Sequence, residues 1–386
     1  MYSSRLKWDL RPNPLSVLLA EKRRSSEAIL DLTESNPTRA GIAYPDRAIM
    51  ESLTDPVSLR YEPSPEGLLS ARQAVATYYA DRCVLVDPSQ ILLTASTSEA
   101  YSYLFKLLTN PGDEVLVPRP SYPLYEFLAG LEFVNIRQYP LRYDGVWHID
   151  FDALEKAVTP RAKAIVVVNP NNPTGSFLKR GEAERLQELA ARHGLAILSD
   201  EVFSDYAFSD DPSRMRTLYG ADLALTFCMS GLSKIAGLPQ MKLGWIAASG
   251  PGSGTALERL HWIADTYLSV ATPIQVALPR ILELSSGIRS QIQNRTTANL
   301  AVLREETAGS PASVLHVEGG WYAILQVPST RSEEEWSTGL LRACNVLVQP
   351  GFFYDFESEA FLVLSLLTEP AAFAEGVHRI SHALLS

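Results

Sequence analysis

Ala164-Ile165-Val166-Val167-Val168-Asn169-Pro170-Asn171-Asn172-Pro173-Thr174-Gly175 is the stretch on which the fold turns. Its apolar, mostly β-branched start predicts a strand buried on both faces, and such strands belong to parallel sheets covered by helices. Two X-Pro steps and a glycine then impose a rigid, non-helical turn. Ligands of open α/β sheets bind at the C-terminal ends of the strands. Asn172 is therefore placed to offer its amide to a ligand oxygen. Pro, Asn and Gly also end many strands that bind nothing, but a match this long argues for more than a turn.

Outward from that strand the pattern repeats. Ile91–Thr94, Glu114–Val117, Phe133–Ile136, Ala164–Asn169, Ala196–Ser199, Leu223–Phe227 and Gly244–Ala248 read as seven strands. Helical patterns at Glu99–Leu108, Asp152–Val158 and Ala183–His193 lie between them. Alternating strands and helices predict an α/β domain with a mostly parallel seven-stranded sheet. The ends differ: a short amphipathic helix near Pro14–Arg24, long helices from about Ser285, and strands at Gly320–Val327 and near Phe361–Leu367. These predict a smaller α+β domain built from residues 1–40 and 281–386, packed on a large domain of residues 41–280.

Bulk properties narrow the function. With 386 residues, 46% hydrophobic and 20% charged, the chain can bury a sizeable core. A formal net charge of −10 argues against a general nucleic-acid binder. Cys83, Cys228 and Cys344 are scattered and odd in number, which fits neither a disulfide framework nor a zinc site. The first residues lack the apolar run of a signal peptide, and no apolar run is long enough to span a bilayer. The expectation is a cytoplasmic protein with no membrane and no nucleic-acid partner.

Four further segments carry chemistry. In Met229-Ser230-Gly231-Leu232-Ser233-Lys234 a strand delivers one amine into a turn of small residues. A partly desolvated ammonium loses its proton more easily, so Lys234 is suited to form a Schiff base with an aldehyde. Taken alone it would more often be a surface charge. Asp200, in Ser199-Asp200-Glu201-Val202-Phe203, stands at a strand tip. There a carboxylate can hold a pyridine nitrogen protonated, although an isolated Asp more often caps a helix. Thr97 and Ser98, in Thr94-Ala95-Ser96-Thr97-Ser98-Glu99-Ala100, open a helix where hydroxyls and N–H groups can hold a phosphate or simply cap the helix. Tyr122, in Pro120-Ser121-Tyr122-Pro123, is fixed between prolines and can stack on a flat ring or merely pack.

Taken in order, the helix-opening serines, Pro-Ser-Tyr-Pro, Asn-Asn-Pro-Thr-Gly, Ser-Asp-Glu-Val and Ser-Gly-Leu-Ser-Lys closely resemble the class I/II aminotransferases, from about Asp31 to the C-terminus. That resemblance implies the fold-type-I pyridoxal phosphate architecture and pyridoxal 5'-phosphate as cofactor. By the same resemblance Lys234 would carry the internal aldimine and later shuttle a proton. Asp200 would pair with the pyridinium nitrogen, Asn172 with the ring hydroxyl, and Tyr122 would stack on the ring. Thr97, Ser98, Ser230, Ser233 and Lys242 would complete the cofactor site. Tyr61, in Arg60-Tyr61-Glu62-Pro63, matches the tyrosine that reaches the phosphate in the partner subunit, which implies a homodimer with shared sites. Ser35 and Asn36, in Leu32-Thr33-Glu34-Ser35-Asn36-Pro37, match the segment that lies over the substrate.

Three positions depart from the family pattern. The usual tyrosine three residues past the pyridine aspartate is Phe203, with Tyr206 close by in sequence. The phosphate-binding arginine eight residues past the lysine is Lys242, which keeps the charge but loses the planar fork. The arginine that clamps the substrate α-carboxylate is Val363, which can form no bidentate pair. Either another cation such as Arg39 or Arg119 substitutes for it, or the substrate has no α-carboxylate. The resemblance implies a ping-pong aminotransferase acting between an amino acid or amine and a keto acid or aldehyde. A lyase or decarboxylase is the alternative on the same fold. A non-catalytic regulator ranks last, because Lys234 and Asp200 are retained and the N-terminal stretch leaves no room for a DNA-binding domain.

Overall fold

The computed structural model describes residues 3–6, 8 and 11–385. Its large sheet has eight strands, in the spatial order Ile91–Thr94, Gly244–Ser249, Thr226–Gly231, Ala196–Asp200, Ala162–Val168, Glu114–Arg119, Asn135–Tyr143 and Trp147–Ile149. All seven expected strands are present. The eighth, Trp147–Ile149, is too short for sequence periodicity to register and pairs antiparallel with the outer strand. Two boundaries move: the strand expected at Phe133–Ile136 runs over Asn135–Tyr143, and that expected at Leu223–Phe227 runs over Thr226–Gly231. The central pairings are parallel, and Gly244–Ser249 runs antiparallel to both of its neighbours.

Successive side chains of a strand point to opposite faces. Ile165 and Val167 accordingly feed one core while Ala164 and Val166 feed the other. Helices Leu69–Ala80, Phe151–Ala157 and Arg180–His193 cover the first face, and Thr97–Leu108, Leu124–Leu131 and Ser253–Tyr267 the second. Each fully buried Ile, Leu or Val contributes about 1.5–3 kcal/mol. Local signals set the ends of the helices. Ser96 and Asp150 accept backbone N–H bonds as N-caps, and Gly194 closes Arg180–His193 in the left-handed region.

A second, antiparallel sheet of four strands runs Ser313–Val314, Tyr322–Gln326, Phe361–Ser365, Gln349–Pro350. It shares a separate core with helices Glu333–Cys344 and Pro370–Leu385. One helix of 36 residues, Thr272–Thr307, touches both sheets' surroundings. The Gln275 side chain accepts the Leu68 N–H at 2.7 Å near its start. Near its end Asn299 donates to the carbonyls of Leu366 and Thr368, each at 2.8 Å. No described helix is long and apolar enough to cross a membrane.

Candidate active site

The parallel strands end together, and the predicted residues follow those ends. Val168 is in register with Asp200, and Asp200 with Met229. Three adjacent strands thus bring the Asn169–Gly175 turn, Asp200 and the Ser230–Lys234 segment to one edge. The last crossing is tight. A Cβ on Gly231 would meet the Gly244 Cα and the Leu243 carbonyl at 2.8 Å, so only glycine lets the two strands pass here.

Lys234 closes the one-turn helix Leu232–Ile235. Its Nζ lies 4.8 Å from the ring centroid of Trp321 and 5.4 Å from that of Phe203. Those two rings meet edge to face at 5.3 Å. Burial lowers the Lys234 pKa to about 8, against the opposing pull of Asp200. Asp200 moves the other way. Burial raises it to about 6, while the Val202 N–H, the Tyr101 hydroxyl and Lys234 hold it down.

Both shifts cost stability near neutral pH. The folded chain releases the Lys234 proton before the unfolded chain does, so stability rises with pH from about 8 to the ordinary lysine value of 10.5. The folded chain holds the Asp200 proton longer, so stability falls as pH rises from 3.8 to about 6. We expect an amine-reactive aldehyde to modify Lys234 of the cofactor-free protein with a midpoint near pH 8. Peptide mapping across a pH series checks this, and a midpoint near 10 would contradict it.

The Asn-rich turn divides its labour. Asn169 is spent on the backbone at Leu178 and Met215, and the Asn171 Oδ1 on Thr174. Asn172 is buried with no partner for its Oδ1 among the described residues, as is Ser230 for its Oγ. Buried polar atoms seldom stay unpaired, so both mark where a ligand completes the site. Thr97 and Ser98 follow the Ser96 cap, leaving their own hydroxyls for another use. Ser233 lies half-buried next to Lys234, and Lys242 is exposed just past the short turn Pro239–Met241. Tyr122 is 46% exposed. A cavity of about 1010 Å³ opens beside it, with Ser121, Tyr125, Gln349 and Tyr354 in its wall.

The overlying segment is held by Ser365, which donates to the Glu34 carbonyl at 2.7 Å. Burial pushes the Tyr322 hydroxyl to about 12, with Ser35 and Glu34 near enough to act on it. Ser35 therefore lies on the side of its segment that meets Tyr322. The Asn36 Oδ1 instead accepts the N–H and hydroxyl of Thr38, a local turn contact. Tyr61, at 80% exposed, stands away from Lys234 on the outer surface.

The departures have physical outcomes. Phe203 offers no donor, and Tyr206 does not take its place. The Tyr206 hydroxyl donates to the backbone carbonyl of Lys234 at 2.6 Å, and its ring packs edge-on to Trp321. Tyr206→Phe would leave that carbonyl with the Gly237 N–H at 3.3 Å and cost about 0.5–1.5 kcal/mol, read from denaturant unfolding. Val363, 1% exposed, pairs with Ile324 and Gln349 and belongs to the same apolar cluster as Phe203 and Trp321. Of the alternative cations, Arg119 is ion-paired with Glu357, whereas Arg39 is exposed with no ion pair among the described residues.

Sequence reading missed Trp321, Tyr322, Tyr101 and Tyr125. Tyr101 sits four residues after Thr97, one helical turn on, which was a usable signal. Trp321 stands just before the strand Tyr322–Gln326 of the other sheet, and no local pattern announces it.

A family model for "Aminotransferase class I and II" matches residues 28–380. Human tyrosine aminotransferase is 29% identical over 64% of this chain and 57% of its own. An S-alkyl-thiohydroximate lyase of Arabidopsis thaliana is 32% identical over 56% of this chain and 48% of its own. The match thus spans only about half the length of these two relatives. The structure of an alanine aminotransferase from Pyrococcus furiosus superposes with a TM-score of 0.89 over 100% of both chains, at 22% identity. That likeness shows the fold.

Proposed function

Because the chain belongs to the class I and II aminotransferase family, we propose that it is an aminotransferase that uses pyridoxal 5'-phosphate and works through Lys234. It would move an amino group between an amino acid or amine and a keto acid in two ping-pong half-reactions. The observation that carries this is geometric: neighbouring strand ends bring Asp200 and the Ser230–Lys234 segment together, with the Lys234 amine set against the Trp321 and Phe203 rings.

The residues present fit the cofactor. Asn172 and Ser230 have buried oxygens that lack partners among the described residues, and Asp200 is a half-buried acid whose charge acts on the lysine. When bound, pyridoxal phosphate supplies an aldehyde and an electron-withdrawing ring. Lys234 would hold that aldehyde covalently, then act as the base that takes the substrate's α-proton and returns it one position along. Asp200 would keep the ring nitrogen protonated. The Asn172 amide N–H would donate to the ring oxygen without help from Phe203, and Tyr122 would cover the ring face. Thr97, Ser98, Ser230, Ser233 and Lys242 would bind the phosphate end.

Assembly belongs to the same proposal. Leu59 and Tyr61 are 90% and 80% exposed, which suits a homodimer in which Tyr61 completes the neighbouring site. The substrates are small molecules handled in the cytoplasm, with Ser35 over the substrate and Asn36 bracing its turn. Residues 41–280 would form the cofactor domain, and 1–40 with 281–386 the smaller one.

The test is the visible spectrum of the cofactor-loaded protein, titrated with amino acids and with simple amines. Conversion to the amine form of the cofactor, reversed by a keto acid, supports transamination and names the donor. Val363 makes simple amines as important in that panel as amino acids. The lyase named among the relatives keeps a second reading open. Release of ammonia and a carbonyl product with no acceptor present would favour it.

A further inference from the structure

We propose that Tyr101 and Tyr125 form a two-hydroxyl relay that positions the Asp200 carboxylate and keeps it ionised. The consequence for catalysis rests on the aminotransferase reading, but the relay itself stands on geometry. The Tyr101 hydroxyl lies 3.1 Å from the Asp200 Oδ2 and 3.2 Å from the Tyr125 hydroxyl. The two rings meet edge to face at 5.4 Å, and both side chains are buried.

Proton counting fixes the direction of the chain. An ionised carboxylate has no hydrogen to give, so Tyr101 must donate its single hydroxyl proton to Asp200. Tyr101 then faces Tyr125 with a lone pair, and Tyr125 must be the donor. Each bond polarises the next, so Tyr125 strengthens a contact it does not itself make. Tyr125, 6% exposed, is itself among the residues in the wall of the cavity beside Tyr122.

Asp200 needs this support because its other neighbours are few. The turn just past its own strand supplies the Val202 N–H at 3.3 Å to Oδ1. The Leu232–Ile235 turn supplies Lys234, which attracts the carboxylate while charged. Glu201, adjacent in sequence, is turned to the opposite face, where Ser199 and the Leu218 N–H occupy its Oε1 at 2.8 Å. From the helices Thr97–Leu108 and Leu124–Leu131 come only the two tyrosines. Burial works against the charge throughout, and Tyr101 is the one side-chain hydroxyl that counters it. Tyr101 and Tyr125 are therefore positioning residues, acting on the cofactor nitrogen only through Asp200.

The test is Tyr101→Phe, with Tyr125→Phe as the gentler companion. In the cofactor-free protein, the Asp200 carboxyl titration is followed by infrared difference spectroscopy against Asp200→Asn. Tyr101→Phe is expected to raise the midpoint by about one pH unit, and Tyr125→Phe to raise it by less. In the loaded enzyme the acid limb of the kcat profile should rise by the same amount, with KM little changed. An unmoved Asp200 midpoint in a folded Tyr101→Phe protein overturns the relay. So does a larger shift from Tyr125→Phe than from Tyr101→Phe. A chain that never binds the cofactor would end the aminotransferase reading, yet the cofactor-free titration would still decide the relay.

Discussion

Lys234→Ala abolishes transamination, with kcat falling on the order of 10⁴-fold or more. The variant keeps the fold, because the removed side chain rests on Trp321 and Phe203 through its amine, and the main-chain bond from Tyr206 survives. On the proposed reading it loses both the covalent anchor and the proton carrier, which would be one atom. The loaded protein should lose its borohydride-reducible link to the cofactor, read by mass spectrometry of the intact chain. A variant that still acquires the cofactor's mass on reduction would sink the assignment of Lys234. Removing the amine also removes a group whose proton is held against burial. The cofactor-free variant should therefore melt higher than wild type at pH 7, and the difference should shrink above pH 8.

Asp200→Asn comes second in size. The amide preserves shape and can still accept from Tyr101, but it cannot balance a positive ring nitrogen. We expect kcat to fall roughly 10³-fold, in the range seen when one preorganised electrostatic partner is lost. Activity and stability should move in opposite directions. Asp200 in the cofactor-free chain is raised to about 6 by burial, so above that pH the fold carries a disfavoured charge that Asn does not have. Steady-state kinetics and thermal melts on the same preparation check both halves. Unchanged kcat, or a lower melting temperature at pH 7, would contradict the role given to this carboxylate.

The sequence announced the site unevenly, for physical reasons. Strands buried on both faces leave continuous apolar runs, so the sheet and its order of motifs were legible from residues such as Ile165 and Val167. The turn after Val168 was legible because Pro and Gly permit few conformations. Asn172 could not be told from Asn169 without seeing that the backbone at Leu178 and Met215 consumes both ends of the Asn169 amide, while Asn171 and Asn172 each keep a buried amide atom with no partner among the described residues. The same holds for Tyr206. It lies close in sequence to the hydroxyl missing at Phe203, and only its bond to the Lys234 carbonyl shows where its own hydroxyl goes. Trp321 and Val363 reach the site from the second sheet, so their part depends on tertiary packing that no local pattern encodes. The eighth strand was missed because three residues are too few to show a period.

The helix Thr272–Thr307 has a mechanical consequence. At 36 residues it is a rod of about 54 Å. Gln275 anchors it to the loop before Leu69–Ala80, Arg295 donates to the Ala40 carbonyl at 2.8 Å, and Asn299 grips the end of the second sheet. Apart from Pro279 inside it, this path is continuous helix, so the loss of one core is felt along the rod by the other. Shedding the second sheet would expose half of a rod whose other half is still clamped, and that half-helix would fray with its packing surface gone. The two cores are thus tied into one cooperative unit, and thermal damage to the sheet that carries Trp321 cannot stay local to it.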